Sequence, residues 1–295
     1  MLPHQTESLP DHAAIDAVTP AMAVQMMLNG QVSAMKSVAT ANLEITQAAA
    51  LMAATIASGG TLVYAAAGSS GLMALADVCE LPGTFGIAPE QLRLHMAGGV
   101  PADGHMPGQT EDDTAEADLI ASTLSKSDCV IVLSASGTTP YPIAIAQKAA
   151  ARGAKVIAIA NNAATPLLNS ADIAICLPTP PEVLAGSTRL GAGTAQKVAL
   201  NMMSTLMGVQ LGHVYRGRMV NLIADNAKLR SRAALIVSDL AQVSLPHAHD
   251  ALETATGDVK LAILIAKGLD KDSAKAALRI NNGHLGPCLN KNETI

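Results

Sequence analysis

A short loop at residues 67–71 is the first candidate binding segment. It reads Ala-Gly-Ser-Ser-Gly, follows an apolar run and precedes a helix-like stretch. The first N–H groups of a helix have no intrahelical partner, and small residues let an anion approach them closely. The candidates here are Gly68, Ser69, Ser70 and Gly71. Because neither a dinucleotide fingerprint nor a nucleoside triphosphate loop is present, this loop alone indicates an anion site and a plain tight turn equally.

A second loop places four hydroxyls within six residues. Residues 134–141 read Ser-Ala-Ser-Gly-Thr-Thr-Pro-Tyr, again between a strand-like and a helix-like segment. Pro140 suits the first turn of a helix. Ligands of open α/β sheets gather at the carboxyl ends of parallel strands, so two such loops favour phosphate binding over helix capping alone. The candidate residues are Ser134, Ser136, Gly137, Thr138 and Thr139.

Two glutamates, Glu80 and Glu111, are candidates for acid and base chemistry. Glu80 ends an apolar helix-like segment and is followed by Leu-Pro, a context in which partial burial would raise the pKa of its carboxyl. Glu111 opens the run Glu-Asp-Asp, which is typical of the acidic start of a helix. From the residues alone, an ordinary structural role is favoured over a catalytic role for both glutamates.

Residues 186–197 form a polar opening to a long helix-like stretch and read Gly-Ser-Thr-Arg-Leu-Gly-Ala-Gly-Thr-Ala-Gln-Lys. Ser187, Thr188 and Arg189 are candidates for binding, since the guanidinium could pair with a phosphate or a carboxylate. The alternative is a capping segment. His247 and His249 lack a third ligand at useful spacing, so no metal site is predicted.

Composition excludes several classes of function. The chain of 295 residues has one Phe, three Tyr and no Trp, too few rings for stacking single-stranded nucleic acid or for an aromatic cage. Its net charge of -5 comes from 19 basic and 24 acidic residues, and no run of Lys or Arg offers a surface for a polyanion. We therefore expect no nucleic-acid partner.

The cysteines and the absence of a long apolar run bear on location. Four widely spaced cysteines, with no Cys-x-x-Cys pair, are expected to be free thiols in a reducing cytoplasm. No window approaches the roughly 18 apolar residues of a membrane span, and the first twelve residues do not resemble a leader. We expect a soluble cytoplasmic protein with no membrane partner.

The elements that would position these residues alternate between strand and helix. Two helices are predicted between residues 20 and 58, followed by strands that alternate with helical stretches at 114–125 and 141–152. The predicted strands cover residues 61–67, 92–96, 129–135, 155–160 and 172–177. This rhythm predicts a parallel sheet with helices on both faces. Further helices are expected at 187–215 and 221–240, with a break at Pro246 and a small helical region after it.

Taken together, the four segments resemble the N-acetylmuramic acid 6-phosphate etherase family of the sugar isomerase domain superfamily. Residues 66–80 follow the family pattern as Ala-Ala-Gly-Ser-Ser-Gly-Leu-Met-Ala-Leu-Ala-Asp-Val-Cys-Glu, and Thr-Phe-Gly continues it at 84–86. The Ser-Gly-Thr-Thr-Pro-Tyr of 136–141 and the segment 186–197 match further family motifs. The resemblance implies a three-layer α/β sandwich with a central five-stranded parallel sheet, the flavodoxin-like arrangement. It divides the chain into a sugar-phosphate domain at 1–240 and a helical domain at 241–295.

The same resemblance implies a function. Family members cleave the lactyl ether of a phosphorylated amino sugar with two glutamates, which fall here on Glu80 and Glu111, and they use no metal or cofactor. It also implies a homodimer with sites near the interface. This chain has Leu72, Thr138 and Gly191 where the family often has Arg or Lys, which indicates a divergent member with a weaker hold on an acidic substrate. A sugar-phosphate isomerase and a non-catalytic sugar-phosphate sensor are the alternatives.

Overall fold

The computed structural model describes residues 5–11 and 14–290 and divides the chain into two compact units. One contains Met1–Val78 and Glu90–Ser204, and the other contains Cys79–Pro89 and Thr205–Ile295. The chain therefore leaves the first unit for eleven residues and returns to it before the second strand. The units divide the chain at other points than the expected domains 1–240 and 241–295, and that division stays a prediction.

The first unit is built on a five-stranded parallel sheet. Its strands are β1 (Leu62–Ala66), β2 (Leu92–Met96), β3 (Cys129–Ser134), β4 (Lys155–Ala160) and β5 (Ile173–Cys176). They lie in the order β2-β1-β3-β4-β5. Every residue of β1 and β3 is buried, which is why these strands are continuous apolar runs instead of alternating ones. All five predicted strands are confirmed.

Helices cover both faces of this sheet, as predicted. The helices of the first unit are α1 (Pro20–Ser37), α2 (Asn42–Ala57), α3 (Gly68–Val78), α5 (Ala115–Ser122), α6 (Pro140–Ala151), α7 (Pro166–Asn169) and the part of α8 (Gly191–Gln210) that ends at Ser204. The rest of α8 and α4 (Leu81–Phe85) belong to the second unit. On one face, Val63 and Ala65 pack with residues of α5, α6 and α7. On the other, the hydroxyl of Tyr64 donates to Asp77 Oδ2 at 3.1 Å, and Ser204 of α8 donates to Asp77 Oδ1 at 3.1 Å. The fold is the predicted three-layer α/β sandwich.

The second unit is a small helical body with its own core. It contains α9 (Ala227–Ala241), α10 (Leu245–Thr254), α11 (Val259–Ala266), α12 (Lys271–Ile280), α13 (Leu285–Asn290) and a hairpin of β6 (Val214–Tyr215) and β7 (Arg218–Met219). Side chains of α9 to α13 form one apolar cluster. Buried Lys260 donates to the carbonyl of Gly283 at 2.9 Å, and burial lowers the pKa of its ammonium to about 8. The predicted helical C-terminal region is confirmed.

Helix ends differ from the sequence-based expectations. The helix expected at 187–215 runs only from Gly191 to Gln210, because Gly212 has a φ of +67° and the chain turns into the hairpin. The helix expected from residue 221 begins at Ala227, where the side chain of Asn226 accepts from Leu229 N. The break expected at Pro246 lies just before it, between the end of α9 at Ala241 and the start of α10 at Leu245. Pro246 itself lies in the first turn of α10, where a missing N–H costs nothing.

Within the described residues, no helix combines the length and the apolar character needed to cross a bilayer. The same residues contain no group of three or more His, Cys, Asp or Glu side chains arranged to hold a metal ion.

Candidate active site

A polar cavity of about 230 Å³ lies at the carboxyl ends of β1 and β3. All of its lining belongs to the first unit. The lining residues are Glu7, Ala67, Gly68, Ser69, Ser70, Glu111, Leu133, Ser134, Ala135, Ser136, Thr139 and Thr188. The structure thus brings together the two hydroxyl-rich loops, one of the two glutamates and one residue of the 186–197 segment. Its size suits a phosphate and part of a sugar, since cavities for drug-sized ligands are typically about 300 to 1,000 Å³.

Ser134 is the centre of a hydroxyl cluster in the second loop. Its Oγ lies 2.8 Å from Thr139 Oγ1 and 3.2 Å from Ser136 Oγ, and it accepts from the N–H of Gly137 at 3.1 Å. Thr138 is exposed, and its hydroxyl and N–H both donate to Ser136 Oγ. Hydroxyls can rotate to donate or accept, so this cluster can reorganise around the oxygens of an anion.

The N-terminus of α6 contributes fewer amide donors than its position beside this loop predicts. Pro140 and Pro142 both fall in its first turn and carry no N–H. Thr139 stands at the N-cap, yet its side chain makes no capping bond and turns to Ser134 instead. At this end of the cavity, the hydroxyls of the second loop are therefore the main hydrogen-bonding groups, and the N–H groups of α6 contribute less.

The first loop supplies the start of α3. Gly68 opens this helix with a φ of +51°, a conformation that favours glycine. Gly68, Ser69 and Ser70 line the cavity, and the N–H groups at the start of a helix have no partners within it. Gly71, by contrast, is buried and lies outside the cavity lining. A Cβ at this position would come within 2.8 Å of Met96 Cγ. Its small size serves packing between α3 and β2.

Glu111 lies directly against the first loop. It belongs to the 3-10 helix Gly108–Asp112, and a Cβ placed on Gly68 would come within 2.6 Å of its Oε1. Partial burial, followed by the negative charge of Asp112, raises the pKa of the Glu111 carboxyl. A carboxyl with a raised pKa beside polar loops is suited to proton transfer.

Other predicted residues lie outside the cavity lining. Glu80 is exposed in the second unit, immediately before α4, so the partial burial expected of it is wrong, and its catalytic role stays a prediction. Arg189 is exposed, Ser187 is half-buried and Gly137 is buried in the loop, where a Cβ would clash with Thr165. Only Thr188 of its segment reaches the lining.

The beginning of α8 is already occupied by a protein carboxylate. Buried Glu182 accepts from the N–H of Gly191 at 2.9 Å and from that of Ala192 at 2.8 Å. A carboxylate at a helix N-terminus is favoured by the helix dipole. These two amides are therefore not available to a ligand.

Sequence reasoning assigned no role to three polar residues: Glu7, Asn162 and Glu182. Glu7 lines the cavity, and buried Asn162 links the N-terminal segment to the carbonyl oxygens of Ala135 and Ser136 at 3.1 and 3.4 Å. The one available signal for Asn162 was an Asn-Asn pair directly after the strand at 155–160. Together with Glu111, Glu7 gives the cavity a second carboxyl group, and within the described part of the chain its lining contains no Lys, Arg or His.

The first unit is an α/β domain with a polar cavity at the carboxyl ends of its parallel strands. A family model described as SIS domain matches residues 109–206. A crystal structure of a Bacteroides fragilis protein, described as a candidate phosphosugar isomerase, superposes with a TM-score of 0.54 at 20% identity and covers 68% of this chain and 95% of that one. A ligand-bound Escherichia coli protein gives a TM-score of 0.51 at 17% identity, over 67% of this chain and 94% of that one. At these identities, the two structural similarities show the fold alone.

Sequence relatives narrow the class to one family. The N-acetylmuramic acid 6-phosphate etherase of Deinococcus radiodurans is 37% identical over 297 residues, which covers 99% of this chain and 97% of the relative. The enzyme of the same name from Pectobacterium atrosepticum is 41% identical over 248 residues, 83% of this chain and 82% of the relative. The chain belongs to the N-acetylmuramic acid 6-phosphate etherase family.

Proposed function

We propose that this protein is a carbon–oxygen lyase that cleaves the lactyl ether of N-acetylmuramic acid 6-phosphate, giving N-acetylglucosamine 6-phosphate and lactate. Family membership over nearly the whole chain supports this reaction. The observation that carries it in the structure is a half-buried Glu111 with a raised pKa, set against two hydroxyl-bearing loops in one cavity.

The reaction proceeds by elimination and then addition of water. In the open-chain sugar, a base removes the proton on the carbon next to the aldehyde, and the electron pair forms a carbon–carbon double bond. The C–O bond to the lactyl group breaks, and an acid protonates the departing oxygen to release lactate. Water then adds across the double bond, with its oxygen on the carbon that carried the lactyl group. Two carboxyl groups can supply both proton transfers.

Glu111 is the residue we place in these proton transfers at the cavity. Because burial raises its pKa, its carboxyl holds a proton up to a higher pH than an exposed one. Glu80, which matches the second glutamate of the family motif, is proposed as its partner. Since the two belong to different units, the pairing rests on the resemblance, and either carboxyl can be the acid.

The phosphate is assigned to the two loops. The hydroxyls of Ser134, Ser136 and Thr139 and the first turn of α3 at Ser69 and Ser70 provide donors without a cation. Hydrogen bonds to a charged acceptor contribute about 1.5 to 3 kcal/mol each, so a few of them can hold one phosphate. The ligand class we propose is therefore a small phosphorylated amino sugar.

Incubation with N-acetylmuramic acid 6-phosphate is expected to release lactate. Glu80→Ala is expected to abolish that release, while the native protein should leave a panel of hexose and hexosamine phosphates unchanged. An enzymatic lactate assay measures the release, and product analysis of the panel shows whether any other sugar phosphate is converted. Absence of lactate at saturating substrate, or isomerisation of a panel member, would contradict the proposed reaction.

We further propose that the protein is a homodimer of the cytoplasm, with its sites near the subunit interface. Exposed apolar side chains at Val24, Leu28 and Met35 share one side of α1, as expected of a contact surface. The four cysteines, all within the described part of the chain, form no disulfide, as is usual in a reducing compartment. Light scattering should give about twice the chain mass of 30.0 kDa, and a value near 30.0 kDa would contradict the dimer. Cell fractionation tests the location.

A further inference from the structure

Glu7 lines the cavity, yet the proposed reaction gives it no role. It ends the short 3-10 helix Gln5–Glu7 and is exposed, while its neighbour Thr6 is completely buried. An exposed carboxyl group that lines a cavity, on a backbone fixed by its neighbour, is well placed to bind a ligand.

Several long-range hydrogen bonds fix the backbone beside Glu7. Asn162 donates to Thr6 Oγ1 at 3.0 Å and accepts from Thr6 N at 3.4 Å, and the carbonyl of Thr6 accepts from Gly186 N at 3.1 Å. The same Asn162 amide donates to Ala135 O in the hydroxyl loop at 3.1 Å. Glu7 is thereby tied to the loop assigned to the phosphate.

Gly186 makes room for the Glu7 carboxylate. It has a φ of +75°, and a Cβ there would lie 2.9 Å from Glu7 Oε2. Gly68 stands in the same relation to Glu111, with a φ of +51° and a Cβ position 2.6 Å from Oε1. Each of the two cavity carboxylates therefore lies against a glycine of a binding loop.

The chemistry of the lining limits what Glu7 can bind. An ionised carboxylate accepts hydrogen bonds and donates none, so it suits the hydroxyl and amide N–H groups of a sugar. It repels a phosphate, and the lining residues that the structure describes include no Lys, Arg or His to offset that repulsion. A sugar phosphate is consequently favoured in one orientation, with its phosphate away from Glu7.

We propose that Glu7 is a substrate-binding residue that orients the sugar phosphate: its carboxylate accepts hydrogen bonds from hydroxyl or amide donors of the sugar and keeps the phosphate on the Ser/Thr loops. This deepens the proposed function and rests on it for the ligand class. The prediction is that removing the charge of Glu7 changes affinity for a sugar phosphate and for a bare phosphate in opposite directions.

The test is calorimetric titration with N-acetylglucosamine 6-phosphate and, separately, with inorganic phosphate. Glu7→Gln is expected to weaken binding of the sugar phosphate about tenfold or more, since charge-assisted hydrogen bonds are about twice as strong as neutral ones. The same variant should bind inorganic phosphate about twofold more tightly, because one negative charge is lost. Glu7→Asp, which keeps the charge on a shorter side chain, should weaken only the sugar phosphate.

Glu90→Gln is the matched control, because Glu90 is exposed in the same unit and lies outside the cavity lining. It should leave both affinities unchanged, and circular dichroism should show all variants folded. Equal changes for both ligands in Glu7→Gln, no change in either, or no binding of the sugar phosphate to the native protein would overturn the role of Glu7. Because no step of this experiment depends on turnover, failure to release lactate would count against the proposed reaction alone.

Discussion

Replacing Glu111 with Gln is expected to lower kcat for lactate release about 10²- to 10⁴-fold, the usual contribution of a positioned acid or base. The amide has nearly the same shape and still fits beside Gly68, but it cannot exchange a proton. Because the lost interaction belongs to the transition state, KM should change much less than kcat. Steady-state kinetics over a range of pH measures both parameters.

Glu90→Gln makes the same chemical change away from the cavity and should retain native kinetics. One limb of the native pH profile should reflect the raised pKa of Glu111, and that limb should disappear in the residual activity of Glu111→Gln. Native kcat in Glu111→Gln would show that this carboxyl takes no part in the chemistry.

Gly68→Ala is expected to lower kcat about 10²-fold while leaving the protein folded. The new Cβ would lie 2.6 Å from Glu111 Oε1, and the carboxylate, being the end of a flexible side chain, can move away. A displacement of about 1 Å at a reacting group is enough for a loss of this size. Stability should fall by only about 1 kcal/mol, the strain of a non-glycine residue at a φ of +51°.

Kinetics and a thermal melt of the same sample separate these two effects. Gly104→Ala is the control, because nothing lies within 4 Å of a Cβ there and the loop does not line the cavity. If Gly68→Ala kept native kcat, the close approach of Glu111 to the first loop would not matter for the reaction. A variant that unfolds would instead show that Gly68 is required by the fold.

Most of the fold follows from local patterns in the sequence. The strands were predictable because a parallel strand buried on both faces must be a continuous apolar run, as in β1 and β3. The ends of the helices were harder to predict from the sequence. The end of α8 depends on the left-handed conformation of Gly212, and the start of α9 on a capping bond from Asn226, neither of which changes the apolar periodicity.

The site was predictable only in part. Hydroxyls concentrated after two strands are a local signal, and they identified both loops. A catalytic role for Glu111 could be predicted only from the family resemblance, since an acidic run before a helix has an ordinary structural explanation. The sequence assigns no role to Glu7 or Asn162, because Thr6 and Asn162 are separated by 156 positions and their pairing exists only in the folded chain. The cap of α8 by Glu182 is likewise a tertiary contact.

Product analysis in ¹⁸O-labelled water tests the central claim most directly. The native protein with N-acetylmuramic acid 6-phosphate should give lactate and N-acetylglucosamine 6-phosphate in equal amounts. Mass spectrometry should find one solvent oxygen in the sugar, at the carbon that carried the ether, and none in the lactate, because elimination leaves the ether oxygen on lactate. Absence of lactate, or solvent oxygen in the lactate instead of the sugar, would contradict the proposed elimination and hydration.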